Sequence, residues 1–321
     1  MEKSKTELSQ FAQDIIRGLG TDSKYISSKY FYDEEGDRIF QQIMEMPEYY
    51  LTRAEFEILS EQKEQICDAM QAFTEPFNLI EFGAGDGLKT KLLLRHLVDG
   101  KADFTYFPVD ISQNILTELS ENLHIEFPGL KVQTLNDDYF GALRKMESFN
   151  ERRNITLFLG SNIGNFHLNE AADFLKKLSN NCKHGDMLLL GVDLKKDHRI
   201  INQAYNDPHG ITAAFNLNLL TRMNRELGAD FDLNTFKHIT YYEAESGEVL
   251  SFLVSLTDQK VYFKNLDFSV QFSKEERIHT EISRKYDFEE LDFVAAKDSY
   301  EVINYFVDNN KYFTDALWKI I

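Results

Sequence analysis

Cysteines and basic residues are scarce in this chain of 321 residues. Its two cysteines, Cys67 and Cys182, lie far apart and follow no metal-ligand spacing, so we expect buried thiols in a reducing cytoplasm. Only 35 lysines and arginines stand against 53 acids, which gives a net charge of -18. This charge argues against nucleic acids and anionic membranes as partners, because both bind basic surfaces. Its simplest use is solubility.

Long apolar runs are also missing. No stretch approaches the roughly 20 residues that a membrane-spanning helix needs, and the start, MEKSKTELSQ, lacks the apolar core of a signal peptide. The eight histidines show no ligand spacing, so we predict no metal site. Hydrophobic residues make up 43% of the chain, which is enough for a sizeable core. We therefore expect a soluble cytoplasmic monomer.

The middle of the chain alternates between strand-like and helix-like patterns. This alternation is typical of βαβ units, in which parallel strands form a sheet with helices on both faces. We therefore predict an α/β fold with a doubly wound sheet. Its strands are expected at 77–82, 104–109, 155–159 and 187–192, with a weaker one near 131–135.

The flanking segments have a different texture. The chain up to about Ser60 is expected to be mostly helical, and residues 197–228 also have a helical pattern. Four runs within 238–273 alternate like antiparallel strands with one wet face. A helix near 287–295 and a strand near 300–307 are expected to return to the sheet.

These textures predict two domains, each made of two chain segments. The first contains the doubly wound sheet, which we expect to bind a cofactor, and takes in residues 58–193 and 282–321. The second is an α+β substrate domain made of the N-terminus and an insertion, residues 1–57 and 194–281.

The stretch EFGAGDG, which begins at Glu81, joins the first strand to an expected helix. Glycine allows left-handed backbone angles and a close approach of ligand to main chain. Such a loop between a strand and a helix usually binds a nucleotide-like cofactor. The dinucleotide fingerprint G-x-G-x-x-G needs its third glycine one place later than Gly87. The spacing of Glu81, Gly83, Gly85 and Gly87 resembles instead the first motif of class I methyltransferases, which bind S-adenosylmethionine (SAM).

Acids at the ends of the next strands strengthen this interpretation. Asp110 ends the second strand, where its carboxylate can accept hydrogen bonds from both ribose hydroxyls. Asp138 follows the third strand, where it can read the adenine amino group, and Tyr139 can pack on the ring. Asp137 is an alternative to Asp138. Three acids in order at successive strand ends favour SAM as the cofactor.

Four separated blocks extend the resemblance. Together they resemble the histidine Nα-methyltransferases of ergothioneine biosynthesis, which trimethylate the α-amine of L-histidine to give hercynine. The resemblance runs from about Lys29 to the C-terminus. The blocks are KYFYDEEGDRIFQQIMEMPEYYLTRAE (29–55), GSNIGNF (160–166), AYNDPHGITAAFNLNLL (204–220) and TEISRKY (280–286).

The resemblance assigns roles to individual residues. It places Asn165 and Tyr205 at the substrate carboxylate, Glu281 and Ser283 at the imidazole, and Tyr32 nearest the amine. It also implies further residues that line the substrate pocket or hold the cofactor. These are Phe40 and Tyr49 for the substrate, and Gly83, Lys89, Asp110, Asp138 and Gly160 for the cofactor.

Physical chemistry limits what these side chains can do. Methyl transfer to an amine needs alignment and desolvation, and a proton must first leave the ammonium group. Tyr32 can hydrogen-bond the neutral amine, but water is an equal candidate for proton acceptor, because an unperturbed tyrosine has a pKa of about 10. Glu281 and Ser283 point the same way if TEIS is a strand, and together they match the two nitrogens of an imidazole.

The sequence thus predicts a SAM-dependent methyltransferase whose substrates are L-histidine and its mono- and dimethyl forms. Two alternatives remain at this stage. The same fold can methylate another aromatic amino acid or amine, and a SAM-binding module can lack catalysis altogether. The Glu281 and Ser283 pair favours histidine, because an indole offers no second nitrogen.

Overall fold

The computed structural model describes residues 8–146, 152–297 and 299–321. Contacts divide the chain into two compact units, which we call the sheet unit and the second unit. Among the helices of the described residues, none is both long and apolar enough to cross a membrane. The sheet unit is Leu51–Lys195 with Arg284–Ile321, and the second unit is Met1–Tyr50 with Lys196–Ser283.

The helices and strands of the described part alternate along the chain much as the sequence pattern predicts. The helices are α1 (Gln10–Leu19), α2 (Glu34–Glu45), α3 (Tyr50–Glu61), α4 (Lys63–Ala69), α5 (Thr90–Asp99), α6 (Gln113–Glu126), α7 (Tyr139–Met146), α8 (Leu168–Asn180), α9 (His198–Tyr205), α10 (Ile211–Leu227) and α11 (Phe288–Lys297). The strands are β1 (Phe77–Phe82), β2 (Phe104–Asp110), β3 (Lys131–Val132), β4 (Leu135–Asn136), β5 (Arg153–Phe158), β6 (Met187–Asp193), β7 (Phe236–Glu243), β8 (Glu248–Ser255), β9 (Gln259–Phe263), β10 (Phe268–Phe272), β11 (Arg277–Arg284), β12 (Tyr300–Val307) and β13 (Phe313–Ile320).

The sheet unit is built on an eight-stranded mixed sheet. Its order is β12-β13-β6-β5-β1-β2-β3, and β4 also pairs with β2. The pairs from β6 to β3 are parallel, and β12 and β13 are antiparallel to their neighbours. Every residue of β1 and of β6 is buried, so both faces of the central strands are covered. The predicted doubly wound sheet is confirmed.

The last strand, β13, is absent from the sequence prediction. It lies between β12 and β6, and all of its first six residues are buried, Asp315 included. An acid in an apolar run usually indicates a position that faces solvent, but β12 and β6 flank Asp315 on both sides. The strand carries Trp318, the only tryptophan of the chain.

The second unit has its own core. Side chains of α1, α2 and α10 pack with those of β8 to β11 in one apolar cluster. The strands form a three-stranded sheet, β11-β8-β7, and a two-stranded one, β10-β9. The single helical pattern predicted for 197–228 is interrupted between α9 and α10, where Asp207 accepts backbone hydrogen bonds and Gly210 has a φ of 73°. Proline at position 208 also breaks the helical ladder.

The glycine loop is anchored at both ends by Glu81, the penultimate residue of β1. Its carboxylate accepts hydrogen bonds from the hydroxyl of Thr90, which begins α5, and from the phenol of Tyr106 in β2. Glu81 is only 4% exposed. Burial raises its pKa to about 7, although the two hydroxyl donors act in the opposite direction. A buried acid therefore fixes strand, helix and neighbouring strand together.

This burial makes stability depend on pH in a defined direction. Because the folded-state pKa of Glu81 lies above its unfolded value, the folded chain binds more protons, and stability falls as pH rises toward 7. We expect Glu81→Gln to remove this dependence. The unfolding free energy of the wild type relative to the variant should fall by about 1.4 kcal/mol per pH unit between about pH 5 and 7.

Urea unfolding followed by the fluorescence of Trp318 measures this in the sheet unit. Glu121→Gln, at an exposed position of α6, is the control with the same chemical change. Parallel stability curves for Glu81→Gln and wild type across this pH range would show that Glu81 titrates as an ordinary surface acid.

Candidate active site

Three glycines of the loop after β1 have left-handed backbone angles. The φ values are 69° for Gly83, 54° for Gly85 and 67° for Gly87, a region that side chains rarely adopt. Space is also limiting, because a Cβ on Gly83 would lie 3.1 Å from Nδ2 of Asn162 and 3.3 Å from the hydroxyl of Tyr139. The loop therefore exposes backbone where other residues would place side chains.

Asp110, the last residue of β2, is held directly beside this loop. Its Oδ2 accepts a hydrogen bond from the backbone N–H of Gly85 at 3.1 Å, and its Oδ1 accepts one from Ser112 at 2.9 Å. Each carboxylate oxygen keeps a further lone pair after these bonds. The structure thus fixes Asp110 at the carboxyl end of the strand, where ligands of open α/β sheets bind.

The two acids after β4 have different partners. Asp137 forms an ion pair with Lys145 at 2.9 Å, and this hydrogen bond lowers the pKa of Asp137. Asp138 is exposed, and its Oδ1 accepts a hydrogen bond from the N–H of Gly141 in the first turn of α7. The ring of Tyr139 packs against Phe158 with ring centroids 5.1 Å apart. Its role on an adenine ring stays a prediction.

Lys89, which the resemblance assigns to the cofactor, directly precedes α5, and its ammonium has a protein partner. It forms an ion pair with the carboxylate of Glu55 in α3, which also accepts a 2.7 Å hydrogen bond from the N–H of Gly160. Gly160 has a φ of 76°. Its Cβ, if present, would lie 3.5 Å from the Lys89 ammonium. Lys89 and Gly160 are therefore neighbours.

Asn165 ends the short 3₁₀ helix that follows β5. It is half-buried, and its side-chain amide makes no hydrogen bond within the described part of the chain. Asn162, at the start of the same helix, donates to the carbonyl of Leu159 at 2.9 Å. The two asparagines thus differ, since Asn162 closes a turn and Asn165 keeps its amide available to a ligand.

In the second unit, the predicted substrate aromatics form one continuous cluster. Tyr32 meets Phe40 edge-on with ring centroids 5.6 Å apart, and Phe40 lies 6.4 Å from Tyr49. Tyr49 in turn lies 6.3 Å from Tyr205. Phe215 of α10 contacts both Tyr32 and Phe40, at 6.0 Å and 5.8 Å. Aromatic faces of this kind suit a cationic ammonium group.

The predicted imidazole pair lies on β11, so TEIS is a strand. Glu281 and Ser283 share one face, while Thr280 and Ile282 are buried on the other. The hydroxyl of Ser283 hydrogen-bonds the phenol of Tyr205 at 2.7 Å. Glu281 accepts a hydrogen bond from the hydroxyl of Ser251 in β8 at 3.4 Å. The structure thus joins the residue predicted for the imidazole to one predicted for the carboxylate.

Three residues of these clusters escaped the sequence analysis. Glu55 and Phe215 lie inside the family-like blocks, but an acid in a helix and a phenylalanine among 26 carry no signal of their own. Ser251 lies in a strand-like run without any motif. Only the folded structure identifies these three residues, because their partners lie 30 to 183 positions away along the chain.

The arrangement in the sheet unit fits a nucleotide-like cofactor. Left-handed glycines, the Asp110 carboxylate and the Lys89 ammonium lie at the carboxyl ends of β1, β2 and β5 or at the helix that follows. Among the described residues, no group of three or more His, Cys, Asp or Glu side chains is arranged to hold a metal ion. The Asp110 carboxylate can accept hydrogen bonds from ribose hydroxyls, and the Lys89 ammonium can donate to an amino-acid carboxylate.

Comparison with known proteins agrees with this chemistry. The model of a family described as histidine-specific methyltransferase, SAM-dependent, matches residues 11–320. Histidine N-alpha-methyltransferase of Mycolicibacterium smegmatis is 36% identical over 274 residues, which cover 85% of this chain and 84% of the relative. Ergothioneine biosynthesis protein 1 of Schizosaccharomyces pombe is 27% identical, over 87% of this chain and 37% of the relative.

A more distant relative has a different named substrate. The 4-dimethylallyltryptophan N-methyltransferase of Claviceps purpurea is 28% identical, over 60% of this chain and 58% of the relative. The family match covers nearly the whole chain, and the mycobacterial similarity covers most of both proteins. This chain therefore belongs to the histidine-specific, SAM-dependent methyltransferase family.

Proposed function

We propose that this enzyme transfers three methyl groups from SAM to the α-amine of L-histidine and so makes hercynine, the precursor of ergothioneine. The observation that carries the choice of substrate is the face of β11, where Glu281 and Ser283 lie side by side with their own hydrogen-bond partners. The names of the bacterial and fungal relatives support it.

Each proposed cofactor residue binds a different part of SAM. Asp110 accepts hydrogen bonds from the ribose hydroxyls, Asp138 accepts one from the adenine amino group, and Lys89 pairs with the methionyl carboxylate. Asp138 is preferred to Asp137, because the Asp137 carboxylate is already paired with Lys145. When bound, SAM supplies a methyl group on a positively charged sulfur. The glycines of the loop are proposed to contact SAM through their backbone. Glu81 supports the loop through its hydrogen bonds with Thr90 and Tyr106.

The substrate residues are proposed to bind one end of histidine each. Asn165 and Tyr205 hold the α-carboxylate, and Glu281 with Ser283 holds the imidazole. Tyr32 hydrogen-bonds the neutral amine and directs its lone pair, and the ammonium proton leaves first, either to water or to the phenolate form of Tyr32. The remaining aromatic rings exclude water and face the charge that each methylation leaves on the ammonium group.

The runner-up is methylation of another aromatic amine by the same fold. The tryptophan-derived substrate named for the Claviceps relative supports it. Against it stands the chemistry of β11, because an indole has one N–H and no second nitrogen for the Glu281 and Ser283 pair. Buried polar groups left without partners cost about 1–3 kcal/mol each. An indole-specific site would therefore be expected to present apolar side chains there.

The role of Asp110 gives a direct prediction about the cofactor. Asp110→Asn removes the charge that strengthens hydrogen bonds to the ribose, and such bonds contribute roughly 1.5–3 kcal/mol. We expect the Kd for SAM and for S-adenosylhomocysteine to rise by about 10- to 100-fold. Calorimetric titration measures both constants.

The matched control is Asp103→Asn, just before β2, at the opposite end of the same strand. Asp103 pairs with Arg152 at 2.9 Å and is 55% exposed, so its loss should leave cofactor affinity unchanged. Equal affinities for wild type and a folded Asp110→Asn variant would remove Asp110 from the cofactor site.

The role of Glu281 gives a prediction about substrate choice. A site built to pair with polar groups rejects analogues that lack them, whereas an apolar pocket discriminates weakly. We expect Glu281→Gln to lower kcat/KM for histidine roughly 10- to 100-fold, and to lower that for tryptophan far less. Ser283→Ala should act in the same direction more mildly, because it loses no charge.

The measurement is the ratio of kcat/KM for histidine and tryptophan in wild type and variants. Glu275→Gln is the control, since Glu275 precedes β11 and is 61% exposed. An unchanged ratio in folded variants would mean that β11 presents only a polar surface, and would favour an amine other than histidine.

A further inference from the structure

Three ionisable side chains form a group at the proposed cofactor site of the sheet unit. It consists of Glu55 on α3, Asp315 on β13 and Lys89 at the start of α5. The side chains of Glu55 and Asp315 are 0% exposed, and that of Lys89 is 22% exposed. Two acids and one base in such surroundings need a defined arrangement of protons, because unpaired buried charges are costly.

Glu55 contacts two chain segments that carry proposed cofactor residues. One carboxylate oxygen binds the ammonium of Lys89, and the other accepts the hydrogen bond from the N–H of Gly160. Burial alone would lower the pKa of Lys89, but the charge of Glu55 and the hydrogen bond to it raise the pKa above its usual value. Lys89 is therefore kept as a cation by Glu55.

Space for this carboxylate is provided by Gly191 in the middle of β6. A Cβ on Gly191 would lie 2.1 Å from Oε1 of Glu55 and 3.2 Å from the nitrogen of Gly160. Glycine inside a buried strand commonly marks a place where another group approaches the backbone. The Glu55 carboxylate thus occupies the volume in which a side chain at position 191 would lie.

Asp315 stands opposite Gly191 in the β6–β13 register. Neither of its oxygens receives a hydrogen bond from the described residues. Burial, and after it the negative charge of Glu55, raise the pKa of Asp315 well above the usual range, against the pull of Lys89. The raised pKa favours the protonated form of the Asp315 carboxyl beside the charge of Glu55.

We infer that Glu55 is a positioning residue of the cofactor site. It holds the Lys89 ammonium and the Gly160 backbone in place for the methionyl end of SAM, and Asp315 is the reserve acid that can replace it as the partner of Lys89. This inference rests on the proposed role of Lys89. It adds a residue that touches no ligand and acts through two that do.

The reserve role follows from the charges that face Lys89. These are Glu55, Asp315 and Glu81, and the carboxylate of Glu81 is already bound by Thr90 and Tyr106. In Glu55→Gln, burial still raises the pKa of Asp315, but the added repulsion from Glu55 is gone and the attraction of Lys89 remains, which favours an ionised Asp315 as the partner of Lys89. Only Glu55→Gln combined with Asp315→Asn leaves Lys89 without a dedicated anion. Burial then lowers the pKa of Lys89 without compensation.

The test is the pH dependence of binding of S-adenosylhomocysteine, which has the methionyl carboxylate but transfers no methyl group. Calorimetry gives the Kd of each variant relative to wild type between about pH 6.5 and 9.5. For Lys89→Met, we expect a loss of about tenfold or more that is independent of pH. For the double variant Glu55→Gln/Asp315→Asn, the loss should grow with pH and approach that of Lys89→Met.

Glu57→Gln is the control on the same helix, since the Glu57 carboxylate accepts a hydrogen bond from the N–H of Asn309 at the surface. A variant with Lys89→Met and Glu55→Gln together has no unpaired buried cation, so it serves if the others fail to fold. Adding Glu55→Gln to Lys89→Met should then change the Kd less than about twofold.

Three outcomes would overturn the inference. In the first, Lys89→Met weakens binding, but the loss of affinity in the double variant does not change with pH. This result would refute the role of Glu55 and leave that of Lys89 intact. A further large loss on adding Glu55→Gln to Lys89→Met would show that Glu55 does not act through Lys89. Wild-type affinity in Lys89→Met would refute both residues, whereas the histidine specificity would be unaffected and is tested separately by the substrate ratios.

Discussion

Buried carboxyl groups under the glycine loop are the constraint on which the sheet unit depends. A folded chain tolerates such groups only if protons, hydroxyl donors or a cation compensate them. Glu81 has two hydroxyl donors, and Glu55 has Lys89 and a backbone N–H. These partners come from the start of α5, from β2 and from the loop after β5. Satisfying the acids therefore also fixes the backbone segments that we assign to the cofactor.

Most of the candidate site on the sheet unit could be predicted, because its residues lie at the ends of strands that are recognisable from local sequence patterns. Asp110 ends a buried strand, and Gly83 follows the neighbouring strand, so parallel pairing alone brings both to one edge. Glu55 and Asp315 could not be found in this way. Each looks like a surface acid in its own segment, and only the strand β13 and the helix α3 packed at the same place make them neighbours. Long-range packing of this kind leaves no periodic signal.

The second unit shows the same limit in a milder form. Family-like blocks indicated Tyr205, Glu281 and Ser283 separately, with different ends of the substrate assigned to each. The hydrogen bond between Ser283 and Tyr205 shows that these assignments are coupled, since moving one hydroxyl moves the other. Ser251 likewise orients Glu281 from a neighbouring strand. On the proposed roles, the residues for the imidazole and the carboxylate share a hydrogen bond, and single substitutions among them are not expected to be additive.

The central claim is that the α-amine of histidine receives the methyl groups. Tandem mass spectrometry of the products formed from SAM and L-histidine, with tryptophan and tyrosine in parallel reactions, tests it most directly. We expect histidine to gain three methyl groups on the α-nitrogen, with the imidazole unchanged, and the other two amino acids to react far more slowly. Methylation of the imidazole, or turnover of tryptophan in preference to histidine, would contradict the claim.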